Sequence, residues 1–277
     1  MTEALPSERF PFFDTLRHFS TKTMRVKVYA GENRIEITKR LANDLHLDPQ
    51  KLLAHYQKIS KYTEGDIFSG FYPMSRKADE KAVIEALFAM SKIKLVTFTQ
   101  RYCDSIPNEL ELKFLLIIAS IIQKETNDPK EMPLVSSVIQ NRLDKGMKLQ
   151  MDGTLNYGKY SHKAVTSTRI KQDKSYYNTY KYGGIPPAPL CAMSIEALES
   201  ALKPSKTDYL YFMLNKKGKH DFSSSYKTHL KNIKAFRAKP KPKPKPKPKP
   251  KPKLIPIADK DIDLSIEQPI LFENLML

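Results

Sequence analysis

The chain reads as an α+β protein: a small strand–helix–helix unit, a larger mixed α+β unit, and an extended tail. Three observations carry this reading. Arg25–Tyr29 alternates Val26 and Val28 with basic residues, and apolar residues at near-helical spacing follow it. Phe114–Ile122 is an apolar run interrupted only by Ser120 and bounded by helix signals. Lys239–Lys253 alternates lysine and proline without a break.

The alternation over Arg25–Tyr29 is that of a half-buried strand, whose side chains point to opposite faces in turn. Gly31 turns the chain. Ile35, Ile37, Leu41 and Leu45 then mark one face of a helix. Asp48-Pro49 starts a second helix carrying Leu52, Leu53 and Tyr56. Aspartate caps free backbone N–H groups there, and proline lacks the N–H that a first turn leaves unused. Gly70-Phe-Tyr-Pro73 reads as a turn, and residues 78–101 as helical. A strand followed by two short helices resembles part of a LysM-like module, giving a region 25–104 after an unassigned segment 1–24.

The second unit spans 105–238. Asn108 or Ser105 caps a helix from about Glu109 to Lys124, which delivers Glu125 at its end before Asn127-Asp-Pro129 stops it. Another helix, about 132–145, halts at Gly146, a residue suited to the left-handed backbone of a C-cap. Beyond it, the Lys-Pro spacer 239–253 favours polyproline II. At ~3.1 Å per residue it would reach roughly 45 Å. It serves either as a spacer or as a solubilising tail. The tail peptide 254–277 ends in apolar stretches, Leu254-Ile-Pro-Ile and Pro269-Ile-Leu-Phe, that suit a short docking peptide.

Composition narrows the function. Of 277 residues 40% are apolar, enough for a sizeable core. The net charge is +17. Eight spacer lysines, less a net −4 in residues 254–277, account for +4 of it and leave +13 on residues 1–238. A basic body points to a polyanion: nucleic acid, membrane lipid or an acidic cell-wall polymer. No nucleic-acid recognition motif accompanies the charge, and no nucleic acid is expected. No run approaches the ~20 apolar residues that span a bilayer. Glu8, Arg9, Asp14, Arg17 and Lys22 interrupt any secretory apolar stretch, so the chain as written carries neither anchor nor export signal. Cys103 and Cys191 read as free thiols, and the six histidines lack zinc-type spacing. Neither metal nor cofactor is expected.

Glu125 is the first candidate for chemistry. Next to several turns of Leu and Ile its charged form is partly desolvated, which raises a carboxyl pKa toward the range a general acid needs. Alone, it reads rather as a solvated glutamate at a fraying helix end, and the motifs that follow it along the chain reverse that reading. Tyr157, Tyr177, Tyr180 and Tyr182 offer aromatic faces to sugars. Gln150, Asn178 and Thr179 can donate and accept as hydroxyl and N-acetyl groups require. Gly183-Gly184 before Pro186-Pro187 forms a turn that lets backbone approach a ligand.

Taken in order, these motifs resemble one family, the MltG/YceG-like endolytic murein transglycosylases. The matching residues are Ser120-Ile-Ile-Gln-Lys-Glu125-Thr126, Asn141-Arg142-Leu143, Gln150 through Tyr157-Gly158, Tyr177-Asn-Thr-Tyr180, Gly184-Ile-Pro-Pro187, Tyr209-Leu-Tyr-Phe212 and His220-Asp-Phe222. The resemblance covers about residues 25–237. It implies cleavage of the β-1,4 bond between N-acetylmuramic acid and N-acetylglucosamine in nascent strands, leaving 1,6-anhydromuramic ends and limiting strand elongation. Glu125 matches the family's catalytic glutamate. Gln150, Asp152, Thr154, Tyr157, Tyr177, Asn178, Thr179, Tyr180, Gly184, Pro187 and His220 fall at positions expected to bind substrate.

One carboxylate suffices for that reaction. Hydrolysis needs a second one as nucleophile or water activator. A lytic transglycosylase instead lets the sugar's own C6 hydroxyl close onto C1, so Glu125 can act as acid and then as base. Asp152 is assigned to substrate positioning or loop structure. The implied partners are peptidoglycan strands and the cell-wall synthesis machinery, at the periplasmic face of the bacterial inner membrane. Family members begin with a cytoplasmic tip and one membrane helix; an upstream start is expected here, since Met1–Thr23 resembles neither. Tyr176 stands where the family has Pro, and Leu190-Cys-Ala-Met-Ser194 replaces an Ile-Ala-Asn-Pro-Gly-like turn. The rival reading is a peptidoglycan-binding protein without catalysis.

Overall fold

A two-stranded antiparallel sheet opens the fold. β1 (Thr23–Val28) pairs with β2 (Gly70–Ser75), Val26 opposite Tyr72 and Met24 opposite Met74. The computed structural model describes residues 23–238; expectations for the rest of the N-terminal segment, the Lys-Pro spacer and the tail peptide lie outside them. β2 corrects the turn expected at Gly70-Phe-Tyr-Pro73. Tyr72 and Met74 point inward while Phe71, Pro73 and Ser75 point outward, the alternation of a strand. Pro73 misleads because it cannot donate to a ladder. A two-stranded sheet leaves each strand one open edge, where a missing donor costs little.

Between the strands lie α1 (Arg34–Leu45) and α2 (Pro49–Ile59). Asn33 caps α1 with Glu36 in a capping box, and Asp48 caps α2 through the N–H groups of Gln50 and Lys51. Their inward faces, with Val26, Val28, Tyr72 and Met74, form one core that α3 (Glu80–Tyr102) closes with Val83, Ile84 and Leu87.

The second core is built on α4 (Glu109–Glu125). Asn108 supplies its cap, paired with Glu111. Every residue from Leu115 to Gln123 is buried, so this stretch of the helix is enclosed on all sides, while its first turns at Glu109–Glu111 stay exposed. α5 (Met132–Asp144) covers it with Val135, Val138 and Ile139, and α7 (Ile195–Leu202) with Ala197 and Leu198. The short α6 (Ser167–Gln172) lies between them in sequence. The Tyr209–Phe212 and His220–Phe222 motifs meet as a hairpin, β3 (Tyr211–Leu214) with β4 (His220–Ser223), Phe212 opposite Phe222; α8 (Tyr226–Arg237) follows.

Leu190–Met193 joins the two cores. The Gly31 N–H donates to Ala192 O at 2.8 Å, the Ala192 N–H to Glu32 O at 2.7 Å, and the Ser69 N–H to Met193 O at 2.9 Å. On the other side the Leu190 N–H donates to Ser120 Oγ at 3.0 Å. Cys191 is a buried free thiol here, and burial pushes its pKa up to about 12. Among the described residues no helix is long and apolar enough to cross a membrane.

Candidate active site

α4 ends where its apolar enclosure ends, and Glu125 is its last residue. The next stretch of chain to reach it is a 3₁₀ turn, Asp152–Leu155. The Gly153 N–H donates to Glu125 Oε1 at 2.7 Å. Burial pushes the Glu125 carboxyl up to about 7, against the Gly153 bond and with help from the Asp152 charge. Desolvation therefore outweighs a charge-assisted hydrogen bond that would favour the carboxylate.

Glu125 opens on a cleft of about 500 Å³, shared with Arg142, Gln150, Asp152, Tyr180 and His220. Asp152 Oδ1 accepts the Tyr180 hydroxyl at 2.6 Å, and burial first, then this carboxylate, raises the phenol pKa. Arg142 fixes the floor. Its Nε donates to Leu210 O at 2.6 Å, and its Nη1 to Lys148 O and Leu149 O at 2.9 and 2.7 Å. The same Nη1 reaches Gln150 Oε1 at 3.3 Å. Those bonds tie the 148–150 loop to the hairpin and hold Gln150 at φ +51°, a strained backbone for a residue with a Cβ.

Of the residues expected at the site, Glu125, Gln150, Asp152, Tyr180 and His220 share the cleft. Thr154, Asn178 and Thr179 lie behind it, buried and internally bonded. The Asn178 amide donates to Ile170 O and Asp173 O, and its Oδ1 accepts the Tyr180 N–H. Thr179 Oγ1 accepts the Met151 N–H and pairs with Thr154 Oγ1 at 2.9 Å. Having no free polar atom toward the cleft, these three act as scaffold rather than as ligand contacts. Tyr157 and Tyr177 stack on each other, ring centroids 4.3 Å apart, and Gly184 and Pro187 are exposed; none of the four lines the cleft. Gly184 has φ +79°, in the left-handed region that favours glycine.

Glu131 and His229 were not legible as site residues. His229 lines the cleft, with burial first and then Arg142 lowering its pKa. Glu131 holds His220, Oε2 to Nδ1 at 2.7 Å. Both depend on the hairpin packing against α5 and on α8 packing against the hairpin, which no local motif announces.

Lys124, beside Glu125, faces the other way. Its Nζ donates to Gly31 O at 2.6 Å and to Ser161 Oγ at 2.8 Å, and Ser161 Oγ donates to Glu36 Oε2 at 3.1 Å. The last turn of α4 is thus anchored to the N-terminal sheet-and-helix unit. Lys124→Met is expected to remove about 2 kcal/mol of charged hydrogen bonding. That lowers Tm by about 4–8 °C, to be read by calorimetry; an unshifted Tm would show that the anchor carries no stability.

The YceG-like family model matches residues 8–235. A Bacillus subtilis protein named endolytic murein transglycosylase is 32% identical over 176 residues, covering 63% of this chain and 48% of its own length. A Streptococcus pneumoniae protein of the same name is 28% identical over 176 residues, covering 61% and 31%. The chain thus spans about half and about a third of these relatives. A crystal structure of a yceG-like protein from Listeria monocytogenes aligns with a TM-score of 0.61 at 26% identity, over 75% of each chain.

Proposed function

The chain belongs to the YceG-like family, and from that premise we propose that it is an endolytic lytic transglycosylase of peptidoglycan. The observation that carries the reading is Glu125: a carboxyl raised to about 7, in a cleft, with one oxygen held by a backbone N–H. The names of the B. subtilis and S. pneumoniae relatives point the same way.

In the reaction, protonated Glu125 gives its proton to the oxygen linking N-acetylmuramic acid to N-acetylglucosamine. The C1–O bond breaks and the N-acetylglucosamine end leaves as an alcohol. The C6 hydroxyl oxygen of the muramic residue bonds to C1, and its proton passes to the Glu125 carboxylate. Acid and base are one group, restored after each turnover, and no water is consumed. Gly153 occupies Oε1, so Oε2 serves both transfers. Asp152, engaged by Tyr180, keeps the acid form of Glu125 favoured instead of attacking the sugar.

The β1–α1–α2–β2 order supports reading the N-terminal unit as LysM-like, a glycan-holding element beside the catalytic region 105–238. We assign the protein to the periplasmic face of the inner membrane on family resemblance, with the cell-wall synthesis machinery as partner.

The pH dependence follows from the acid role. Glu125 must be protonated to act, and its pKa is about 7. Activity should be full below that value and fall about tenfold per pH unit above it. Initial rates on glycan strands between pH 5 and 9 read this out, in units chosen around the Glu125 value. A rate unchanged to the alkaline end would remove Glu125 as the acid.

A further inference from the structure

Behind the cleft, Arg169 makes a contact that the proton chemistry of Glu125 leaves unused. The 3₁₀ turn Asp152–Leu155 supplies the Gly153 N–H that holds Glu125 Oε1 at 2.7 Å. That turn is pinned at both ends. At its start Thr179 Oγ1 accepts the Met151 N–H at 3.2 Å and pairs with Thr154 Oγ1 at 2.9 Å. At its other end Leu155 O accepts a hydrogen bond from Arg169 Nη2.

α6 carries Arg169 into that place. The Asn178 amide straps the helix to the Tyr177–Tyr180 motif, donating to Ile170 O at 2.8 Å and to Asp173 O at 2.9 Å. The guanidinium lies over the Tyr160 ring, 3.8 Å from its centroid, and Nη2 sits 3.9 Å from Asp173 Oδ2. Asp173 is fixed in turn by the Ser175 N–H at 2.8 Å and the Ser175 hydroxyl at 2.6 Å. Arg169 Nε and Nη1 are buried with no hydrogen-bond partner among the described residues, so the Leu155 carbonyl takes the guanidinium's one hydrogen bond. A buried cation with two unpaired nitrogens weakens a fold, so stability alone does not account for this arrangement.

We infer that Arg169 is a positioning residue for the catalytic acid, acting through Leu155 and the Gly153 N–H to fix where the Glu125 carboxyl sits. The inference rests on the reading of Glu125 as a glycan-cleaving acid. A guanidinium stays charged across the range in which Glu125 titrates, so its hold on the turn does not change with pH. Releasing Leu155 lets the turn drift and takes the Gly153 N–H away from Oε1. That bond favours the carboxylate, so its loss raises the Glu125 pKa further. Asp152 moves with the turn, but its charge weighs less on Glu125 than the Gly153 bond does. Thr154 and Leu155 are fully buried, so the turn shifts within its packing without opening Glu125 to water. The other titratable groups sharing the cleft are Arg142, Tyr180, Tyr211, His220, Tyr226 and His229, and Arg169 bonds to none of them.

The test is the pH dependence of kcat/KM on purified glycan strands for wild type, Arg169→Met and Arg169→Lys. Arg169→Met should lose about 100-fold in kcat, with KM changed less than about threefold, the effect of a small displacement at the acid. The midpoint of its alkaline limb should rise by roughly one pH unit, the effect of one lost hydrogen bond to a charged group. Arg169→Lys keeps a charged donor and should show both effects at smaller size; it supplies the midpoint if the methionine variant does not fold. A midpoint is independent of the folded fraction, so lost stability cannot imitate the shift. A midpoint at or below the wild-type value would overturn the inference, whatever the rate, and leave the Glu125 reading standing. Wild type without an alkaline limb near the Glu125 value of about 7 would remove both.

Discussion

Glu125→Gln is expected to abolish release of anhydromuramic products, lowering the rate by about 10³-fold or more. The amide has nearly the shape of the carboxyl and can still accept the Gly153 N–H now bound at 2.7 Å, so the loop stays in place. What it loses is the proton: an amide neither gives one to the leaving oxygen nor takes one from the C6 hydroxyl. Glycan binding should therefore remain within a fewfold of wild type. Chromatography of digested strands reads the first quantity and co-sedimentation with insoluble peptidoglycan the second. Unchanged product release would remove Glu125 from the mechanism. Binding by a wild type that releases nothing would favour the non-catalytic reading.

Gly153→Ala should be nearly as damaging, for a steric reason. A Cβ there would meet Glu125 Oε1 at 2.7 Å and Lys124 Cβ at 2.9 Å, closer than real Cβ contacts come. Neither neighbour can yield cheaply. Lys124 is held to Gly31 and Ser161, and moving the Glu125 carboxyl breaks its bond to the Gly153 N–H. If the 3₁₀ turn moves instead, it carries Asp152 and its bond to Tyr180 with it. A displacement of about 1 Å at the acid costs about 100-fold in rate. Steady-state kinetics check this, and a variant keeping more than half of wild-type activity would contradict the described packing.

Much of this arrangement is legible in the residues. α4 is marked at both ends, by Asn108 with Glu111 and by the break after Thr126. Asp48-Pro49 likewise starts α2 where a capped first turn is expected. β2 was missed because proline inside a short strand looks like a turn until its partner strand is known. At the site, the family resemblance singled out Glu125, Gln150, Asp152, Tyr180 and His220, which share the cleft, yet it did not separate cleft residues from those behind them. Asn178, Thr154 and Thr179 have the chemistry of ligand contacts, but their hydrogen bonds are spent internally. That distinction is tertiary, as is the Glu131–His220 pair, whose members are 89 residues apart.

The central claim is that Glu125 drives ring closure instead of hydrolysis. Mass spectrometry of products formed from purified glycan strands in ¹⁸O-labelled water tests it most directly. Ring closure predicts muramic ends one water lighter than reducing ends and free of label. Labelled reducing ends would mean that water attacks C1, and would contradict the account.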